Sequence, residues 1–175
     1  MRVRVRAMPV RPARPSDLDV IIQFIRDLAL YEREPDAVVL ERDELAEHLF
    51  GAPALGKGPR AEVLIAETDE GVSVGFALFF HNFSTWLGKP GLFLEDLFVQ
   101  PEMRKQGFGK ALLSACAKIA IDRGCARFEW AVLDWNQPAI DFYLALGSSP
   151  LSDWTTHRLT GAPLRALATL GKVDG

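Results

Sequence analysis

From Leu92 to Leu133 the chain reads as a strand, a glycine-bearing turn, a helix and a second strand, and no other stretch limits the fold as much. Leu92 to Val99 is apolar on both faces apart from two adjacent carboxylates, Glu95 and Asp96. A helix runs from about Gly107 to Arg123 and stops at Gly124, and Arg127 to Leu133 reads as the next strand. Two strands joined through a helix need a crossover, so they pair parallel with the helix laid on the sheet.

The N-terminal part adds antiparallel pieces. Val10 to Ala13 forms a short strand, and Ser16 with Asp19 three places on reads as an N-cap opening a helix to about Tyr31. Its buried face is Leu18, Ile21, Ile22, Ile25 and Leu28. After Pro35, Arg42 to Phe50 recovers helical spacing and Gly51 stops it, and a glycine- and proline-rich loop covers 51 to 60. Val63 to Ala66 and Val72 to Phe83, separated by Thr68 to Gly71, make a hairpin. Trp86 to Gly91 is a loop. Asn136 to Leu146 is a short helix closed by Gly147, and Trp154 to Leu159 reads as a final strand or hairpin. The order predicts an α/β fold, with a mixed central β-sheet flanked by helices on both faces, as one domain over residues 1–175.

At 175 residues and 49% hydrophobic the chain can bury one core. A net charge of −3 argues against nucleic acid as a partner, which needs a basic face, and suits a cationic substrate. Cys116 and Cys125 match no zinc spacing, and His48, His81 and His157 lie far apart, so no metal site is expected and the thiols read as core residues. The basic start, Met1 to Arg6, lacks a following apolar region, so secretion is not indicated. The longest apolar run, Val74 to Phe80, falls short of the roughly 18–20 residues a membrane span needs. A soluble, cytoplasmic protein without a membrane partner is the expectation.

The turn Arg104-Lys105-Gln106-Gly107-Phe108-Gly109, followed by Lys110, sits where a strand passes into a helix. Unpaired amide N–H groups and the helix dipole make such a place an anion site, and glycines let a phosphate approach the backbone. A plain turn with solvated basic residues is the simpler alternative. Gly107-Phe108-Gly109 also begins a dinucleotide fingerprint with Glu129 about twenty residues on, but Leu112 occupies the third glycine position and Glu129 falls within its strand. A P-loop is excluded because Ala111 follows Lys110.

These segments resemble the GNAT superfamily of acyl-CoA-dependent N-acyltransferases, which carry a Gln/Arg-x-x-Gly-x-Gly/Ala turn at this junction. They also carry a helix of the pattern Asn136, Ala139, Phe142, Tyr143, Gly147. The resemblance spans about residues 10–160. Within the superfamily the chain is most similar to the diamine acetyltransferases, through Tyr31-Glu32, Trp86 to Lys89, Leu94 to Val99 and Trp135 to Pro138. It departs from them at Ser84 and Thr85, where polyamine enzymes have Asp-Pro, and this favours short acceptors over spermine.

The resemblance implies acetyl-CoA as acyl donor, held by Arg104, Lys105, Gln106, Gly107, Phe108, Gly109 and Lys110 at its pyrophosphate, and by Leu97, Phe98 and Val99 along the strand. Asn136 and Tyr143 also touch it. An unpaired charge in a sheet costs several kcal/mol, so Glu95 and Asp96 need partners, water or a cleft, and a structural ion pair would satisfy them too. Neighbouring strand residues face opposite ways unless a bulge intervenes, and the resemblance implies such a bulge.

An alkylamine with a pKa near 10 must lose a proton before it attacks, and by that analogy Glu95 accepts it, while Asp96 and Glu32 hold the cation. Tyr143 becomes the acid for the leaving thiolate, or else a packed aromatic. Trp86 either stacks on the substrate or packs, and Glu32, Glu34 and Asp36 taken alone read as a solvated face. The expected reaction is acetyl transfer to a primary amine of a small diamine, polyamine or thialysine-like amino acid by a homodimer. The alternatives are a non-catalytic acyl-CoA-binding module, or an enzyme acting on an amino acid or a peptide N-terminus.

Overall fold

The computed structural model describes residues 8–52 and 59–171, so the basic start of the chain and most of the 51–60 loop lie outside the described residues. It divides into two compact units between Ala131 and Val132.

The first unit holds a five-stranded sheet in the order β1-β2-β3-β4-β5. Its strands are β1 (Val10–Pro12), β2 (Glu62–Glu67), β3 (Ser73–Ser84), β4 (Lys89–Val99) and β5 (Phe128–Trp130). β1 to β4 pair antiparallel, and β4 pairs parallel with β5. Among the described residues this unit carries the α-helices α1 (Leu18–Tyr31), α2 (Arg42–Phe50) and α3 (Phe108–Asp122), the last being the crossover from β4 to β5.

Alternation along the strands sorts side chains into two layers. Val63, Ile65, Phe76, Leu78 and Phe98 meet Ile21 and Phe24 of α1 and Leu49 of α2 in one apolar cluster. The Phe24 ring lies 5.8 Å from both Phe76 and Phe98. Leu64, Ala66, Ala77, Phe79, Leu92 and Leu94, equally buried, alternate to the other face, and α3 packs on the sheet with Leu112, Leu113, Cys116 and Ala120 buried. Burial pushes the Cys116 thiol up to about 12, which leaves it a small apolar core group.

Several boundaries differ from the sequence reading for identifiable reasons. Ser16 does not cap α1. Pro15–Asp17 is a 3-10 turn in which the Asp17 carboxylate accepts the Arg14 N–H at 2.6 Å and the Arg11 guanidinium at 2.7 Å. Arg11 holds that carboxyl below its ordinary range and also reaches Glu67 at 2.6 Å, tying β1 to β2. Phe24, overlooked in the apolar stripe, is among the most buried side chains of α1, whereas Ile25 and Leu28 are only partly buried.

β5 covers Phe128–Trp130 rather than Arg127 to Leu133, because its ladder with β4 runs only from Leu92 to Leu94. The second unit, described by itself, contains α4 (Gln137–Ala145) and α5 (Gly161–Ala168). Trp154 to Leu159 forms no strand, since no ladder partner for it exists among the described residues.

Candidate active site

The site begins at a break in register. Leu78 of β3 stands opposite Asp96 of β4, while the next residue, Phe79, stands opposite Leu94, so Glu95 is the extra residue of a β-bulge. The β4–β5 ladder ends at Leu94, one residue before. Beyond the bulge the outer edge of β4 therefore has no strand beside it among the described residues.

Which backbone groups face that edge follows from the ladder. The Gln100 N–H donates to the Val74 carbonyl at 2.9 Å, so antiparallel alternation turns residues 100 and 98 toward β3 and residues 99 and 97 away from it. The Val99 carbonyl agrees with this, since it accepts the Arg104 Nε–H at 3.0 Å outside the sheet. Leu97 and Val99 consequently offer N–H groups at the open edge. Phe98 keeps its backbone in the ladder and its ring in the core.

The bulge also sets the two carboxylates apart. Glu95 is exposed, and Asp96 lies partly buried on the α1 face beside Leu78. Burial first, then the nearby charges of Glu95 and Glu32, push the Asp96 carboxyl up to about 6. Glu32, the C-cap of α1, is itself raised by burial. The structure thus brings Glu32, Glu95 and Asp96 into one electrostatic cluster, an arrangement suited to a cation.

After β4 a 3-10 turn, Pro101–Met103, leads into the glycine turn. Lys105 and Gly107 have φ of 62° and 103°, the left-handed region that a side chain disfavours. Gly107 is the N-cap of α3, and the Ala111 N–H closes the first turn onto its carbonyl at 2.9 Å. The N–H groups of Phe108, Gly109 and Lys110 have no intrahelical acceptor, as at any helix start. Lys105 and Lys110 are exposed there, while the Phe108 ring is buried and leaves only its amide available. The exposed Gln106 donates its side-chain amide to the Glu102 carbonyl at 3.3 Å. The Arg104 guanidinium turns toward α1 and lies 4.7 Å from the Tyr31 ring centroid.

Trp86 is 88% exposed at the tip of the β3–β4 turn. Ser84, expected to mark the lost acid of the polyamine enzymes, is buried instead, and its Oγ accepts the Leu87 N–H at 3.3 Å. It holds the β3–β4 turn. In the second unit Asn136 caps α4, its Oδ1 accepting the Ala139 N–H at 3.4 Å, and Tyr143 packs 5.5 Å from Phe142. Among the described residues no group of histidine, cysteine and carboxylate side chains could hold a metal, and no helix is long and apolar enough to cross a membrane.

Residues 23–147 match the model of the acetyltransferase (GNAT) family. The chain is 37% identical over 164 residues to the thialysine N-epsilon-acetyltransferase of Sus scrofa, covering 91% of this chain and 96% of that protein. It is 31% identical over 200 residues to the L-ornithine N5-acetyltransferase of Arabidopsis thaliana, covering 92% and 88%. Among solved structures, an integron cassette protein from V. cholerae superposes with a TM-score of 0.73 at 24% identity, over 93% of this chain and 98% of that one.

Proposed function

Because the chain belongs to the GNAT acetyltransferase family, an acetyl-CoA-dependent N-acetyltransferase family, we propose that it transfers acetyl to the terminal amine of a short amino acid of the thialysine or ornithine kind, with small diamines as weaker acceptors. The bulge at Glu95 carries this reading, because it places an open strand edge and an acidic cluster at one point.

Glu32 and Asp96 hold the incoming ammonium, and Glu95 takes its proton directly or through water, leaving a neutral nucleophile. The amine nitrogen bonds to the thioester carbonyl carbon. The N–H groups of Leu97 and Val99 receive the developing oxyanion, the outward pair that ladder alternation selects. The sulfur is protonated as the C–S bond breaks, the role that the family resemblance gives to Tyr143, so the products are an N-acetyl amine and a free thiol. Lys105, Gln106, Lys110 and the amides of Gly107, Phe108 and Gly109 suit a pyrophosphate, and a contact of Asn136 with CoA is what the family resemblance implies. Trp86 offers a face for the acceptor chain.

No covalent enzyme intermediate is required. The accompanying reading is a cytoplasmic homodimer of single-domain subunits, checked by light scattering and by one cooperative unfolding transition. The function is tested by measuring thiol release from acetyl-CoA with thialysine, ornithine, spermidine and spermine in parallel. Highest kcat/KM with one of the two amino acids supports it, and turnover confined to spermine opposes it.

A further inference from the structure

The sheet face that carries Asp96 continues away from the bulge as an ordered series. Leu78 opposite Asp96 is followed by Phe80 opposite Phe93 and then by Asn82 opposite Gly91. β5 adds Glu129 beside Phe93, and Arg127, two residues earlier, alternates onto the same face. The rings of Phe80 and Phe93 lie 5.3 Å apart, forming an apolar step between two polar ends.

The far end is a built cluster. Asn82 Nδ2 donates to Glu129 Oε2 at 2.9 Å, Arg127 Nε lies 2.8 Å from the same oxygen, and Arg127 Nη2 donates to the Phe83 carbonyl at 3.3 Å. Gly91 makes room for it, since a Cβ there would collide with Asn82 Oδ1 and stand 2.9 Å from Arg127 Cγ. The cluster is nevertheless incomplete. Asn82 Oδ1 is buried without a hydrogen-bond partner, and so is Arg127 Nε, whose contact with Glu129 is short but lies off the N–H direction. Buried polar atoms are nearly always satisfied, so a pair left open in one cluster calls for an explanation. The Arg127 and Glu129 side chains remain 35% and 23% exposed, enough for a ligand to reach them.

We infer, on the reading that this is an amine N-acetyltransferase, that Arg127 and Glu129 form a distal subsite for the α-carboxylate and α-ammonium of an amino acid whose side-chain amine lies at Glu95 and Asp96. Phe80 and Phe93 carry the aliphatic chain between them. Four residues along β3 separate the Leu78 and Asn82 rows, about 13 Å at strand rise. Taking about 3 Å for a hydrogen bond at each end leaves about 7 Å, the reach of an extended side chain of lysine size. With its Nε against Glu129 and one Nη2 N–H on the Phe83 carbonyl, Arg127 turns its remaining Nη N–H groups to the carboxylate, and Glu129 accepts from the ammonium beside it. A diamine has no carboxylate for Arg127, and a polyamine brings a cation against it. The subsite therefore selects amino acids over polyamines.

The test compares thialysine with 2-(propylthio)ethylamine, which keeps the amine and thioether chain but lacks the amino-acid head. Wild type is expected to favour thialysine in kcat/KM by at least about 10-fold, the range of one charge-assisted contact. Arg127→Gln should reduce that preference below about 3-fold by lowering only the thialysine value, with Arg127→Lys intermediate. Because the readout is a ratio on one protein, loss of folded fraction cancels. Equal losses for both amines, or an unchanged ratio, overturn the subsite. If Arg127→Gln does not fold, wild type with thialysine methyl ester decides: an ester used as well as the free acid overturns it, and an ester reduced to the level of the headless amine supports it. A wild type that releases thiol with neither amine removes the parent reading and the subsite together, so the two failures are told apart.

Discussion

Leu78 lies opposite Asp96 across the β3–β4 ladder, one residue out of step with the Phe79–Leu94 pair beside it, and the proposed reaction centre rests on this single offset. It expels Glu95 from the pairing and ends the neighbouring β5 ladder at Leu94. Deleting Glu95 would restore a continuous ladder with both flanking pairs kept. The deletion variant should remain folded, by circular dichroism and thermal melting, while kcat falls by at least about 10³-fold, as expected when the base is lost and the Leu97 and Val99 N–H groups shift from their place beside it. Activity within tenfold of wild type would show that the bulge is not the reaction centre.

Asp96 yields a pH-dependent prediction for stability. Its carboxyl is pushed up to about 6 in the fold, so the native state binds a proton that the unfolded chain releases near its ordinary value. That contribution is complete below about pH 4 and is lost as pH rises through about 6, an effect on the order of 2–3 kcal/mol. Asp96→Asn should flatten this part of the curve. Chemical denaturation of both proteins between pH 4 and 7 measures it, and parallel curves would contradict the assignment.

Gly107 tests the cofactor turn. Its φ of 103° is open to glycine, and a Cβ there would meet nothing closer than Met8 Cε at 4.0 Å, so strain and not collision opposes substitution. Gly107→Ala is expected to cost about 1–2 kcal/mol in the turn and to weaken CoA binding by at least about 10-fold. Calorimetry reads the affinity, and an unchanged value in a folded variant would move the anion site elsewhere.

Tyr143 is expected to act through its hydroxyl. Tyr143→Phe keeps the ring beside Phe142, so kcat per folded protein should drop on the order of 10²-fold. Wild-type turnover in that variant would leave the tyrosine a packing role alone.

Much of the architecture was readable because hydrophobic period and glycine stops are local signals. α2 matches its expected bounds, α3 differs by one residue at each end, and the 62–84 hairpin and the parallel β4–β5 pair follow from order alone. Features that depend on partners were not readable. β5 is short because its ladder with β4 stops at Leu94, beside the bulge, and Trp154 to Leu159 form no strand without a ladder partner among the described residues. α5 was missed although Thr160 precedes it and Pro163 lies in its first turn, the place where a helix tolerates proline. For the candidate site, the motifs singled out Glu95 and the glycine turn, whereas the burial of Ser84 and the raised Asp96 are tertiary properties. Arg127 and Asn82 carry no local pattern, and only the register places them on the face of Asp96.

The central claim is direct transfer of acetyl to an amine at the Glu95 bulge. Protein mixed with carbonyl-labelled acetyl-CoA, first without and then with thialysine, measures it in one experiment. The account predicts no label on the protein, thiol release only after the amine is added, and one acetyl group on the thialysine side-chain nitrogen by mass spectrometry. Label retained on the protein, or acetyl-CoA bound without amine-dependent thiol release, would contradict it.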